Sequence, residues 1–212
     1  MVAFFFCLFF GPFASAEEKK VVIGKFSSGH FSDWKEEKFS GKTEYLIVNE
    51  NGTNVLQGSS KDSASGLGKE KRIDLWQTPI LHWRWKIENR LPVRNETTKE
   101  GDDYPVRLYV VIDGGLRFWK SKAVNYVWSR GVAKGSAWPN AFAKKNVVML
   151  SLRDATDKTG VWYEEKRNIL KDLQKYIDPS IRYIDGIALM TDTDNTNSFA
   201  NGFYGDIYFT AM

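Results

Sequence analysis

Apolar and polar residues alternate with a period of two through many short stretches of this chain, and turn-forming residues separate the stretches. That period belongs to β-strands burying one face. Tyr45-Leu46-Ile47-Val48 and Thr53-Asn54-Val55-Leu56 flank Asn51-Gly52, a pair suited to the positive φ angles of a two-residue hairpin turn. Between Ile80 and Ile87, Leu81, Trp83, Trp85 and Ile87 share one face, opposite His82, Arg84 and Lys86. This predicts a half-buried strand with Trp83 and Trp85 in the core and His82 in solvent. Val106 to Ile112, Val147 to Leu152 and Ile187 to Met190 are apolar on nearly both faces and suit central strands. From Phe203 to Thr210, Phe203, Ile207 and Phe209 alternate with Tyr204, Asp206 and Tyr208, which reads as one final strand. The Gly- and Ser-rich stretch from Gly58 to Gly68 reads as a mobile loop.

One stretch changes period. Ile169, Leu173 and Tyr176 fall on a helical stripe with Leu170 and Ile177 beside it, while Asn168 is placed to cap the start and Pro179 to enforce the end. Many short strands, frequent turns and a single helix imply a mostly β fold. The expected class is an antiparallel β-sandwich of jelly-roll type with one short α-helix near 168–177.

The amino-terminal run MVAFFFCLFFGPFASA is apolar as far as Gly11-Pro12 and ends on the small residues Ala14-Ser15-Ala16, a pattern that signal peptidase accepts. Residues 1–16 are therefore expected to be a signal peptide, and residues 17–212 a single β-sandwich domain. A membrane anchor is the alternative, but the apolar run falls short of the roughly 20 residues that a span requires, and Glu17-Glu18-Lys19-Lys20 follows at once. The implied location is periplasmic or secreted. The only cysteine, Cys7, lies in this run, so the processed protein is expected to have neither disulfide nor thiol chemistry. Aromatic residues make up 15% of the chain, enough to fill a sandwich core and still supply rings for stacking on sugars. The formal charge of +4 arises from 30 basic and 26 acidic residues scattered without a basic block, which argues against a nucleic-acid partner.

Several motifs stand in order: Thr78-Pro79, Trp83-Arg84-Trp85, Asp102-Asp103-Tyr104-Pro105, Asn125-Tyr126-Val127-Trp128, and the run from Gly186 to Thr196. The set resembles the bacterial family called domain of unknown function 3047, over Phe26 to Phe209. The Ile-Ala-Leu-Met-Thr-Asp-Thr-Asp run, followed by a strand bearing Asp206, is also similar to the galactose-binding-like sandwiches of carbohydrate-binding modules. Such a likeness implies a fold, and a function has to be argued from the site.

Asp192, Asp194 and Asn195 gather hard oxygen ligands just after a buried strand, where they suit a calcium ion or a polar ligand, with Asp206 joining from the final strand. Turn capping is the other role open to them. The EF-hand pattern is not followed, since Asn197 and Phe203 stand where its Gly and Glu belong. Asp102-Asp103 forms either a solvated acidic turn or the source of one carboxylate paired with Arg107 or Arg84, because adjacent side chains of an extended segment diverge. Asn125, Tyr126 and Trp128, with Arg130 and Trp138, make a polar-aromatic strip that either stacks on sugar rings or fills the core. Tyr126 and Trp128 share a face opposite Asn125. Nucleophilic catalysis lacks its parts: His30 and His82 are the only histidines, and no Gly-x-Ser-x-Gly elbow occurs.

The expected ligand-binding residues are thus Asp102, Asp103, Arg107, Asn125, Tyr126 and Trp128, and the expected metal ligands are Asp192, Asp194, Asn195 and Asp206. Together they point to an exported, noncatalytic protein that binds a carbohydrate or similar polar ligand, with calcium the one cofactor implied. The alternatives are a polysaccharide lyase using Tyr126, a hydrolase using a carboxylate pair, and a structural envelope protein presenting an apolar patch.

Overall fold

The computed structural model describes residues 19–112 and 121–212. The expected signal peptide, with Cys7, lies outside the described residues. In chain order the strands are β1 (Lys20–Gly24), β2 (Lys35–Ser40), β3 (Glu44–Glu50), β4 (Thr53–Lys61), β5 (Ala64–Asp74), β6 (Ile80–Ile87) and β7 (Arg107–Ile112). They continue with β8 (Lys122–Trp128), β9 (Ala137–Asn140), β10 (Lys144–Arg153) and β11 (Tyr163–Asn168). Helix α1 (Ile169–Tyr176) precedes β12 (Tyr183–Asp192), β13 (Phe199–Tyr204) and β14 (Ile207–Thr210). The first sheet runs β1-β14-β6-β13-β4-β3 with β11 on the other edge of β6, and the second runs β2-β5-β12-β7-β8-β10-β9. This is the expected two-sheet sandwich. The Asn168 side chain accepts the Lys171 backbone N–H at 3.0 Å and caps α1 as foreseen.

Between the sheets lies one aromatic-rich interior. The rings of Trp83 and Trp85 meet edge to face at 5.4 Å, and Trp83 packs 5.4 Å from Tyr126. The Asn51-Gly52 turn takes φ values of 51° and 86°, and pairs Glu50 with Thr53 and Val48 with Val55. Strands β7 and β12 are buried on both faces, as their near-continuous apolar runs required, and β10 is buried over most of Val147 to Leu152; β8 is buried on both faces as well. On β7, Leu108, Val110 and Ile112 enter the interior, whereas Tyr109 and Val111 join a second buried cluster with Tyr104, Trp138, Met149 and Met190 on the far side of the sheet.

Four expectations change. The stretch from Gly58 to Gly68 is ordered strand rather than mobile loop: β4 belongs to one sheet and β5 to the other, and the chain crosses between them at Asp62-Ser63. Small residues are needed at this corner, since a Cβ on Gly58 would stand 2.7 Å from Thr191 Oγ1 and 3.0 Å from the Tyr45 ring. One pair is parallel, β8 with β10, because β9 takes up the reversal between them and pairs antiparallel with β10. The final strand is broken at Gly205-Asp206, with β13 and β14 following each other along the same edge of β6. The break resets the alternation, so Tyr204 is buried in the interior with Ile207 and Phe209. His82 is half-buried rather than free in solvent, stacked on Tyr208 at 4.8 Å.

Candidate functional site

Arg107 lies on β7 between Val106 and Leu108, whose side chains enter the interior, so alternation sends Arg107 to the opposite face of the second sheet. Only 3% of it reaches solvent. A guanidinium buried to that degree requires compensation from its neighbours. Strand β12 supplies it: Met190 pairs with Arg107 in register, which brings Asp192 alongside. Arg107 Nε donates to Asp192 Oδ1 at 2.8 Å, and Nη2 contacts Asp192 Oδ2. Nη2 also donates to the Asp102 carbonyl at 3.1 Å, and Nη1 stands 3.6 Å from Asp102 Oδ2. The Tyr104 and Tyr109 ring centres lie 5.0 Å and 5.9 Å from the guanidinium carbon.

Neither of the adjacent carboxylates is the solvated turn of the first alternative: Asp102 is 3% exposed and Asp103 4%. Asp102 Oδ2 accepts from Asn140 Nδ2 at 3.0 Å, while Asp102 Oδ1 is buried without a hydrogen-bond partner among the described residues. Asp103 is fully engaged with the loop after β12. Its Oδ1 accepts from the Asn195 backbone at 3.3 Å and Nδ2 at 3.0 Å, and its Oδ2 from the Thr196 backbone and hydroxyl at 2.7 Å each.

Beside these groups opens a cavity of about 390 Å³. Asp102, Arg107, Asn140 and Asp194 give it a polar wall, and Phe39 and Phe142 line it with exposed rings, 44% and 53% accessible. Burial raises the pKa of Asp102, an effect that Arg107 and Asn140 only partly offset. Asp194 is raised as well, by burial and then by Asp103. Burial pushes the Tyr109 hydroxyl up to about 12. Burial works against the Arg107 charge too, but the neighbouring acidic groups, Asp102 among them, outweigh it and hold the guanidinium protonated.

Of the residues expected from sequence, the cavity brings together Asp102, Arg107, Asp192, Asp194 and Asn195, with Asp103 bracing their loop. Three expected ligand contacts fall elsewhere. Tyr126 and Trp128 point into the interior, where the Tyr126 hydroxyl donates to Asp172 Oδ2 at 2.6 Å and Trp128 Nε1 to the Asp154 carbonyl at 3.3 Å. Asn125 shares Arg107's side of the sheet but is fully buried, its Nδ2 3.4 Å from Met149 Sδ. Asp206 is the fourth departure, because the break at Gly205 turns it to the outer face of the other sheet. There it accepts from Ser27 backbone N–H at 2.8 Å and hydroxyl at 2.6 Å. Asp103 takes its place among the acidic groups: oxygens of Asp103, Asp192 and Asp194 lie within 4.8 Å of one another.

The sequence patterns did not single out Asn140, Phe39, Phe142 or Glu96. Asn140 had only a Pro139-Asn140 turn signal; its Oδ1 accepts from the Phe142 and Ala143 backbones at 3.0 and 2.8 Å, which frees Nδ2 for Asp102. Glu96 sits in a polar loop with no periodicity, yet it is buried and accepts from Ser129 Oγ at 2.5 Å and from the Arg130 and Gly131 N–H groups at 2.6 Å. The first sheet carries its own recess of about 530 Å³ on its outer face, lined by His82, Arg84, Glu164, Asp206 and Tyr208 among others.

A family model described as "Protein of unknown function (DUF3047)" matches residues 32–208. This chain belongs to the DUF3047 family. The match takes in the Asp102-Asp103 segment, Arg107 and the acidic run after β12, so the whole recess is built from DUF3047 residues. No curated protein matches the sequence. Among solved structures, this DUF3047 chain is similar to the K3 cleaved adhesin domain of Lys-gingipain from Porphyromonas gingivalis, at 12% identity and a TM-score of 0.50, covering 91% of this chain and 100% of that one. It is also similar to a family 30 carbohydrate-binding module of a cellulosomal cellulase from Clostridium thermocellum, at 13% identity and a TM-score of 0.48, covering 91% and 98%. A third structure concerns promiscuous carbohydrate-binding modules of the β-sandwich superfamily, at 12% identity and a TM-score of 0.45; the match covers 86% of this chain and spans 59% of that one. These likenesses concern the sandwich fold.

Proposed function

We propose that this protein is an exported, noncatalytic binding protein that takes a carbohydrate or similarly polar ligand in the recess beside Arg107. One observation carries the reading: a cavity of about 390 Å³ in which buried Asp102, Arg107 and Asn140 face the exposed rings of Phe39 and Phe142. A sugar presents apolar C–H faces and hydroxyls together, and so matches a wall that mixes aromatic rings with convergent polar groups. Binding without turnover is favoured because Tyr126, the residue a lyase reading required, is held in the interior by Asp172. Export rests on the apolar amino-terminal run and Ala14-Ser15-Ala16, and amino-terminal sequencing of exported material is expected to begin at Glu17. Among the described residues no helix is long and apolar enough to cross a membrane.

Calcium is the other occupant these residues favour, given the close oxygens of Asp103, Asp192 and Asp194. Arg107 already pairs with Asp192, so glycan binding is expected without added metal. A glycan-array screen of residues 17–212 with and without calcium, followed by calorimetry on the hits, tests the reading. Hits that Phe142→Ala weakens support it, and the absence of any glycan hit in both conditions removes it.

A further inference from the structure

We propose a second binding site, on the outer face of the first sheet, for a carboxylate-bearing sugar such as a uronate unit of an acidic polysaccharide, with the carboxylate held by Arg84. The site is the recess of about 530 Å³ over β6, β11 and β14, which shares no lining residue with the recess beside Arg107. At its centre is an arginine that the fold holds in place and leaves without an acceptor. The break between β13 and β14 puts Gly205 against the Arg84 stem: its N–H donates to the Arg84 carbonyl at 2.9 Å, and a Cβ there would stand 2.5 Å from Arg84 Cγ and 2.6 Å from Nε. The guanidinium lies 4.6 Å over the Trp162 ring. Such a ring takes a flat face of the guanidinium and leaves the N–H groups, which lie in its plane, for an acceptor. Among the described residues the Arg84 side chain makes no hydrogen bond and no ion pair, although Glu164 stands directly opposite it on β11. Its donors are thus half-buried, oriented and unspent.

The independent observation is the balance of charge around it. Asp206 gives both oxygens to Ser27, and Glu165 accepts from Trp85 Nε1 and Arg153. Lys166 stands opposite His82 on β11 and, among the described residues, has no hydrogen bond or ion pair either. Two cations, Arg84 and Lys166, therefore face one unengaged carboxylate, Glu164, and one added carboxylate balances them. A carboxylate also fits the planar fork of a guanidinium through both oxygens. The aromatic groups here are already used: Tyr208 has Lys20 Nζ 3.6 Å and the His82 ring 4.8 Å from its ring centre. Recognition in this recess thus rests on charge rather than on an open ring, while Thr53 and Asn54 at its rim offer hydroxyl and amide groups to the hydroxyls of a sugar.

The test is calorimetry on the purified protein with length-matched oligomers of galacturonate and of galactose, and with inorganic phosphate as competitor. The galacturonate oligomer is expected to bind about tenfold more tightly than the neutral one, with the advantage shrinking as salt is raised. Arg84→Met should erase that preference, and Arg84→Lys should not restore it, because an ammonium lacks the fork that meets both carboxylate oxygens. Lys166→Ala, on an exposed residue, should reduce the preference even if the arginine variants fold poorly. Phe142→Ala should leave it unchanged, since Phe142 lines the other recess. Equal binding of the two oligomers overturns the proposal, as does a uronate preference that survives Arg84→Met or is lost with Phe142→Ala. Phosphate that displaces the galacturonate oligomer at equal concentration overturns it too, in favour of a general anion site. None of these results decides the recess beside Arg107, whose reading rests on glycan hits that Phe142→Ala weakens.

Discussion

Arg84 and Arg107 both stand at outward positions of strands, one on each sheet, and their surroundings could hardly differ more. Arg84 is half-buried, its guanidinium 4.6 Å above the Trp162 ring. Its stem crosses Gly205, where a Cβ would come within 2.5 Å of Arg84 Cγ. Arg107 is sealed from water and answered by Asp192, Asp102, Tyr104 and Tyr109. The two faces use the same residue types. Desolvation separates them, since it makes each charge in the Arg107 recess depend on a specific partner, whereas water screens those around Arg84.

The sharpest way to break this contrast is to remove each arginine. Arg107→Met strands Asp192 and Asp102 and is expected to cost roughly 3–5 kcal/mol, against under about 1 kcal/mol for Arg84→Met in the same denaturant melts. Similar losses would mean that burial is not what distinguishes the faces. Trp83→Ala sets the scale from the interior that both sheets share: a cavity beside Trp85 and Tyr126 should cost about 3–5 kcal/mol. Stability left nearly unchanged would instead argue for an accessible Trp83. Tyr126→Phe removes the hydroxyl from Asp172 and should cost about 1–3 kcal/mol with glycan affinity unaltered, because the residue lies between the sheets. An affinity loss larger than the stability loss would return Tyr126 to the site.

A pH titration sharpens the comparison further. Asp102 has a raised pKa in the fold, so its contribution to stability is full below the unfolded carboxylate value, about 3.9, and is lost as pH rises through the folded one. Asp102→Asn should therefore flatten that part of the stability profile. Half-buried Asp74 has the opposite sign: Arg182 lowers its pKa, so its contribution is present above the unfolded value and lost on acidification. A wild-type profile that rises through the same range and is unchanged by Asp102→Asn would contradict the buried-carboxylate assignment. The smallest effect is expected at Asp206, where Asp206→Ala releases Ser27 for about 1 kcal/mol and leaves ligand and calcium binding untouched. Lost binding there would move the site to the other sheet.

Much of the sandwich was legible along the chain. Period-two patterning marked β6 with its buried tryptophans, Asn51-Gly52 marked the hairpin, Asn168 and Pro179 bracketed the helix, and runs apolar on both faces marked β7 and β12 as central. The misreadings share a cause. Gly58 and Gly205 were ambiguous because a glycine in sequence does not say whether it frees the chain or makes room for Thr191 or Arg84. Alternation placed Tyr126 and Trp128 on one face and Asn125 on the other, but could not say which face met the opposite sheet.

What the sequence determined by itself was the set of elements and which side chains share a face, because backbone geometry imposes those periods locally. It also marked Asp102-Asp103, Arg107 and the Asp192 to Asn195 run as chemically unusual. Only the tertiary structure decided that Asp102, Arg107, Asn140 and Asp192 meet, that Asp206 stands on the far sheet, and that Asp102 Oδ1 has no donor among the described residues. Those outcomes depend on strand pairing across long stretches of chain and on the exclusion of water. Neither leaves a local period to read.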